Sequence, residues 1–285
     1  MMHLVIILIV FAIAWGYRLR VPSTPQTWQK RWQQTLFHFL FSPLLLIMTA
    51  IAILCMGSQG SMWGLPQNGI GYPIVIGFLL YAIVALSQLT YQGWQATQQL
   101  QQHPQQLIFG HPARILNTSF LYSAQIGFWN PELVISDGLL ACFDQAHLEA
   151  VIAHEKAHCY YRDTFWFFWL GALRKLTAWL PNTEILWQEL LALRELRADR
   201  RAAQKVDGLL LAEALLMVAQ QKPLNILGTD ASICAALNEA SSCDRLTERI
   251  DHLLAESPQQ PQFNWWTWSP LLLVLLPLIV IPFHY

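Results

Sequence analysis

The sequence predicts a predominantly α-helical integral membrane protein, four transmembrane helices with one larger cytosolic domain of mixed α+β character. Three observations carry this. Of 285 residues, 54% are hydrophobic and only 12% charged, with a mean hydropathy of +0.34, too apolar for an ordinary soluble domain. Four long apolar stretches recur along the chain, and thirteen tryptophans suit membrane–water boundaries. Every acidic residue lies between Glu132 and Glu256, so one polar region is set off from the rest. The net charge of -1 offers no basic surface for nucleic acid.

Met1–Tyr17 is almost wholly apolar and is followed by Arg18 and Arg20. It lacks the basic leader of a signal peptide, although Ala12-Ile13-Ala14 resembles a cleavage site, so an uncleaved span is expected over about residues 1–17. Thr35–Met56 and Ile70–Tyr91 are the second and third stretches, each long enough to cross a core of ~30 Å at ~1.5 Å per residue. The fourth, Ser269–His284 within residues 264–285, follows Trp265, Trp266 and Trp268, and Pro277 and Pro282 should bend it. Arg18, Arg20, Lys30 and Arg31 follow the first span, whereas Gly57–Gly69 carries no charge. The positive-inside rule therefore places the loop after span one, and the region 92–263, in the cytoplasm. Five scattered cysteines without paired spacing agree with a reducing compartment; Cys159 is expected as a core thiol.

Within 92–263, Gln92–Gln106 reads as a helical or flexible exit from the third span. Arg114–Ser136 is rich in β-branched and aromatic residues, with Gly127 and an Asn130-Pro131 turn. Two or three short strands are expected there, and an edge strand could bind a peptide by strand addition. Asp144 is a plausible N-cap for a helix bearing Leu148, Val151 and Ile152 at helical spacing. Thr164–Leu180 has only about ten apolar residues between Asp163 and Arg174, too few to cross; it reads as a helix buried in the domain or lying at the membrane surface. Pro181-Asn182-Thr183 opens a long helix to about Val206, closed by Gly208. A short apolar helix over 209–221 and a last one over Arg245–Ala255 lead through Pro258-Gln259-Gln260-Pro261 to the final span.

The chemistry lies in His154-Glu155-Lys156-Ala157-His158. Residues four apart share a helix face, so both imidazoles can reach one tetrahedral ion. Glu155 can then meet a water there as general base. A catalytic zinc ion usually takes three protein ligands, and the candidates are Glu184, Glu189, Glu195 and His252. Glu195 stands out because Asp199 lies one turn on, placed to accept the free ring N–H of a ligand histidine. Among Arg194, Arg197, Arg200 and Arg201, the same two acids also describe a solvated helix of ion pairs.

His154-Glu155-x-x-His158-x-x-x-x-Asp163 followed by Glu195-x-x-x-Asp199 resembles the gluzincin membrane metallopeptidases. It is most similar to the beta-lactam sensor/antirepressor metallopeptidases, through Gly127, Pro131, Ser136-Asp137-Gly138-Leu139, Arg162-Asp163 and Glu248-Arg249-Ile250. The related CAAX prenyl protease/HtpX-like family shares both motifs. The resemblance implies a zincin-like domain with one catalytic Zn2+ held by His154, His158 and Glu195, and Glu155 as base. Asp199 and Asp163 would support the ligands from behind. Sensor members continue into an extracellular penicillin-binding domain while this sequence stops at Tyr285, so it is not expected to sense a beta-lactam by itself in that way, and the resemblance carries the chemistry rather than the trigger.

The expected function is a membrane-embedded zinc endopeptidase of a bacterial inner membrane, acting on a protein or peptide substrate such as a cytosolic transcriptional repressor. A quality-control protease of the HtpX type and a non-catalytic membrane scaffold are the alternatives. Tyr160, Tyr161, Arg162 and Arg194 are the candidates to stabilise the oxyanion.

Overall fold

The computed structural model describes residues 2–20, 27–58, 61–62, 65–66, 70–219, 243–254 and 265–283. The chain divides into two compact units: Met1–Ser87, Ala172–Leu190 and Gln260–Tyr285 form an apolar unit, and Gln88–Gly171 with Leu191–Gln259 form a second.

Three helices dominate the apolar unit: α1 (Met2–Leu19), α2 (Trp28–Met56) and the start of α3 (Gly71–Gln101), with a two-strand ribbon of β1 (Ser61–Met62) and β2 (Leu65–Pro66) between the last two. Two of them, α2 with 29 residues and α3 with 31, are long and apolar enough to cross a membrane. Both run beyond the expected spans, α2 starting at Trp28 and α3 continuing through the glutamine-rich exit. Helix α1 is shorter, and Arg18 lies inside it and buried rather than in the following loop. The C-terminal segment is not one regular helix. A 3₁₀ stretch over Trp265–Leu275 passes into α-helix at Leu276–Ile279 and back to 3₁₀ at Ile281–Phe283, with Pro277 and Pro282 at these changes.

Pro43 sits inside α2. It has no N–H, so the carbonyl of Phe39 one turn earlier has no helical donor. Arg18 supplies one: its Nη2 donates to Phe39 O at 2.9 Å, while Nη1 reaches Thr183 Oγ1 at 3.3 Å. Ser42 Oγ returns a bond to the Ala14 carbonyl at 3.1 Å. A buried polar lattice thus ties α1 to α2 where the proline opened the backbone.

The second unit is built on a four-stranded sheet in the order β3-β4-β6-β5, comprising β3 (Gln105–Ile108), β4 (His111–Leu116), β5 (Ser123–Ile126) and β6 (Glu132–Ser136). Strands β4 and β6 are parallel, and the other pairs antiparallel. The sequence led us to expect two or three strands from Arg114 onward, so β3 and the start of β4 are additions. Their turn is Phe109-Gly110, both at positive φ (48° and 76°), the two-residue geometry that follows strand twist. Gln105–Leu107 is an exposed edge without apolar alternation, which hid it.

Helix α4 (Asp137–Cys142) starts where Ser136 caps it, accepting from Leu139 N at 3.2 Å and donating to the Phe120 carbonyl at 2.6 Å. A Cβ on Gly138 would come within 2.2 Å of the Ser119 carbonyl oxygen, so only glycine fits this turn. Then come α5 (Gln145–Tyr161), α6 (Asp163–Leu176), α7 (Thr183–Ala202), α8 (Gly208–Ala219) and α9 (Cys243–Leu254). Helix α7 stops at Ala202, four residues short of expectation, and Gly208 opens α8 instead of closing α7. The reason is packing, since a Cβ at Gly208 would lie 3.2 Å from the Leu253 carbonyl oxygen of α9. The core lies between the sheet and α4, α5 and α8, around Ile115, Ile135, Leu139, Leu148, Ile152 and Ala214. The expected Pro258–Pro261 linker lies outside the described residues.

Candidate metal centre

Helix α5 is positioned at both ends. Asp144 accepts from His147 N at 2.9 Å, the expected N-cap. At the other end Arg162 adopts the left-handed conformation (φ 52°, ψ 45°), which stops the helix and turns the chain at once into α6. That reversal brings Asp163 back onto α5: its Oδ2 lies 2.7 Å from Nδ1 of His158.

The apolar face of α5 faces the sheet, leaving His154, Glu155 and His158 buried on the side toward α7. The two Nε2 atoms stand 3.1 Å apart. Glu195 of α7 reaches both, with Oε2 at 3.3 Å from His154 and Oε1 at 3.7 Å from His158. Three donors ~2.0–2.1 Å from one tetrahedral ion would be about 3.3 Å apart, close to what these side chains present. The outward nitrogen of each ring is held by a carboxylate: Nδ1 of His154 lies 2.8 Å from Asp199 Oδ1, and Nδ1 of His158 faces Asp163. This fixes each ring so that Nε2 points inward. The donor set and its orientation therefore fit a zinc ion with an open fourth position. His154, His158 and Glu195 form the group of potential metal ligands among the described residues. Glu184 and Glu189 turn elsewhere, to Arg174 and Arg31.

Charge is balanced behind the ligands. Arg249 of α9 grips Asp199 with both arms, at 2.6 and 2.8 Å, and Arg197 pairs with Asp163. Arg194 donates twice to Glu195 Oε1, at 2.9 and 2.5 Å. With Glu155 included, four carboxylates meet three guanidiniums, so one net negative charge faces a cation once both imidazoles have given up their protons to bind it. Protonation reflects this field. Burial opposes a charged ring at His154, yet Asp199 and Glu195 prevail and hold it up at about 10; His158 is raised in the same way, by Glu195 and Asp163 against burial. Burial also works against ionised Glu195, and Arg194 and His158 override it, keeping this carboxyl well below its ordinary range.

Glu155 is oriented from the sheet. Ser123 Oγ, on edge strand β5, donates to Glu155 Oε1 at 2.7 Å, which leaves Oε2 for other work. Among the described residues strand β5 pairs only with β6, and Ser123, Ala124 and Gln125 line a cleft with Glu155, Thr164 and Arg194. Of the four oxyanion candidates, Arg194 is in this cleft. Arg201 lies over the ring of Tyr160 and Arg197 over that of Tyr161, while Arg162 forms the helix C-cap. Cys159 is exposed on the far side of α5, not in the core.

Residues 120–228 match the model of peptidase family M48. The match covers β5, α5 and α7, well under half of the chain. No curated protein matches the chain. Three contributors escaped the sequence reading. Ser123 carries no motif, Arg197 looked like one of a run of surface arginines, and Arg249 lies fifty residues from its partner. For Arg249 the one available signal was its place in Glu248-Arg249-Ile250.

Proposed function

We propose that this protein is a membrane-anchored, zinc-dependent endopeptidase. The observation that carries the reading is the convergence of two inward-facing imidazole nitrogens and one carboxylate, with a second carboxylate, Glu155, at the same cleft. His154, His158 and Glu195 would hold the ion, which supplies Lewis acidity to draw down the pKa of water and polarise the scissile carbonyl. Glu155 takes the proton from the attacking water and passes it to the leaving amine. Asp199 and Asp163 keep the ligand rings in register. Arg194 offers a guanidinium to the developing oxyanion, and substrate adds as a strand along β5.

In this reading the chain spans the bacterial inner membrane four times, with α1 and the C-terminal segment joining α2 and α3, and the peptidase unit faces the cytoplasm. Its substrate is one regulatory protein, such as a transcriptional repressor. The family match favours a second reading, a quality-control protease for damaged membrane proteins. Trapping by the Glu155→Gln variant separates them, yielding either one discrete soluble protein or many membrane fragments. The same variant tests the chemistry. It should retain zinc and lose cleavage by roughly 10²–10⁴-fold, and a variant that cleaves like the wild type would refute the mechanism.

A further inference from the structure

Next to the cleft, the second unit carries an aromatic ledge that the peptidase chemistry does not use. Phe128 and Trp129 form the turn after β5, and Phe165, Trp166, Phe168 and Trp169 the first turns of α6. Phe128 contacts Phe165 and Phe168 with ring centroids 5.1 and 4.7 Å apart, and Trp129 meets Phe165 at 5.4 Å. These contacts fix a rigid surface, yet its indoles face outward: Trp129 is 75% exposed, Trp166 58% and Trp169 43%. On α6 the inward stripe, Asp163, Phe167 and Leu170, is buried. The outward face of α6 carries Trp166 and Trp169, where a soluble helix would place polar side chains, and exposed Arg162 precedes them in the turn from α5.

We infer that this ledge seats in the headgroup region of the bilayer, with Arg162 toward lipid phosphates and the three indoles at the acyl boundary. Indoles with a flanking guanidinium favour the membrane–water boundary. Protein interfaces use the same side chains, so the rest of the chain decides the occupant. The chain also contains two helices long and apolar enough to cross a membrane, and from Ala172 onward α6 itself belongs to the apolar unit. The inference rests on the membrane reading above. Gln125 and Thr164 line the cleft, and Phe128 and Phe165 begin the ledge within three residues of them.

The test is photolabelling of the full chain in vesicles of phosphatidylcholine with a minor share of phosphatidylglycerol, using a phosphatidylcholine that carries a diazirine near the headgroup end of its acyl chain. Labelled peptides are mapped by mass spectrometry. The expected result is label on residues 127–131 and 162–170 at a level comparable with Gly71–Gln101. It should exceed that on Gln105–Ile108 at least about tenfold, the ratio given by a preference of about 1.4 kcal/mol. Strand β3 is the control because its Leu107 is apolar and 76% exposed in the same unit. Label on Gly71–Gln101 with none on the ledge overturns the inference, as does equal label on β3. Cross-linking of an unlabelled ledge to a second copy would replace it with a dimer interface. No label on Gly71–Gln101 would overturn the membrane reading itself, and this inference with it.

Discussion

Each unit turns an arginine inward, buried at Arg18 and half-buried at Arg249, and the two are used in opposite ways. In the apolar unit Arg18 answers neutral oxygens, the Phe39 carbonyl left over by Pro43 and the hydroxyl of Thr183. In the second unit Arg249 answers charge, closing on both oxygens of Asp199 with Glu195 3.6 Å away. The first arrangement mends a backbone defect and holds helices together. The second balances the carboxylate that faces the ring of His154, a candidate metal ligand. The contrast shows that burial of a charged residue has no fixed meaning; what it faces decides whether it serves the fold or the site.

The contrast can be broken by mutation. Arg249→Met leaves Asp199 and Glu195 buried with less compensation and should destabilise the second unit by about 3–5 kcal/mol, read as an earlier denaturant midpoint with the metal removed. If stability is unchanged, Arg249 is not needed for balance. Ser123→Ala should lower kcat roughly ten- to a hundredfold, as expected for losing a hydrogen bond to a charged group, with zinc content unchanged and recovery in Ser123→Thr. An unaltered kcat would show that β5 does not orient Glu155. Metal affinity should rise about tenfold per pH unit for each proton displaced, because His154 holds its proton up to about 10 in the metal-free protein. The sign for metal-free stability is opposite. A raised histidine stabilises fully below its ordinary 6.5 and loses that contribution as pH climbs through about 10. Chelator competition and thermal melts over that window should therefore slope in opposite directions. The smallest effect belongs to the apolar unit. Arg18→Met should cost about 1 kcal/mol, and Pro43→Ala, which restores the missing N–H, should remove most of that cost. Additive effects of the two changes would separate Arg18 from the proline.

Much of the site was legible because helical periodicity is local. His154 and His158 had to share a face once α5 was a helix, and Glu195 and Asp199 likewise on α7. The Asp144 cap and the Ser136-Asp137-Gly138 turn are local as well. What escaped depends on contacts distant in sequence. Ser123 meets Glu155 across thirty-two residues, and β3 became a strand only because Phe109-Gly110 folds it back onto β4. Gly208 was read as closing α7 because its close approach to Leu253 of α9 joins residues far apart in sequence.

By itself, the sequence determined that two imidazoles and a carboxylate would line up on one helix, and that a chain this apolar would contain membrane-length helices. Backbone periodicity and hydrophobicity are properties of neighbouring residues and need no partner. Only the tertiary structure decided which carboxylate meets which ring, which arginine balances it, and which oxygen of Glu155 is left open. Those choices are made by charges that chain folding brings within 3 Å across tens of residues, where burial makes every unmatched one costly.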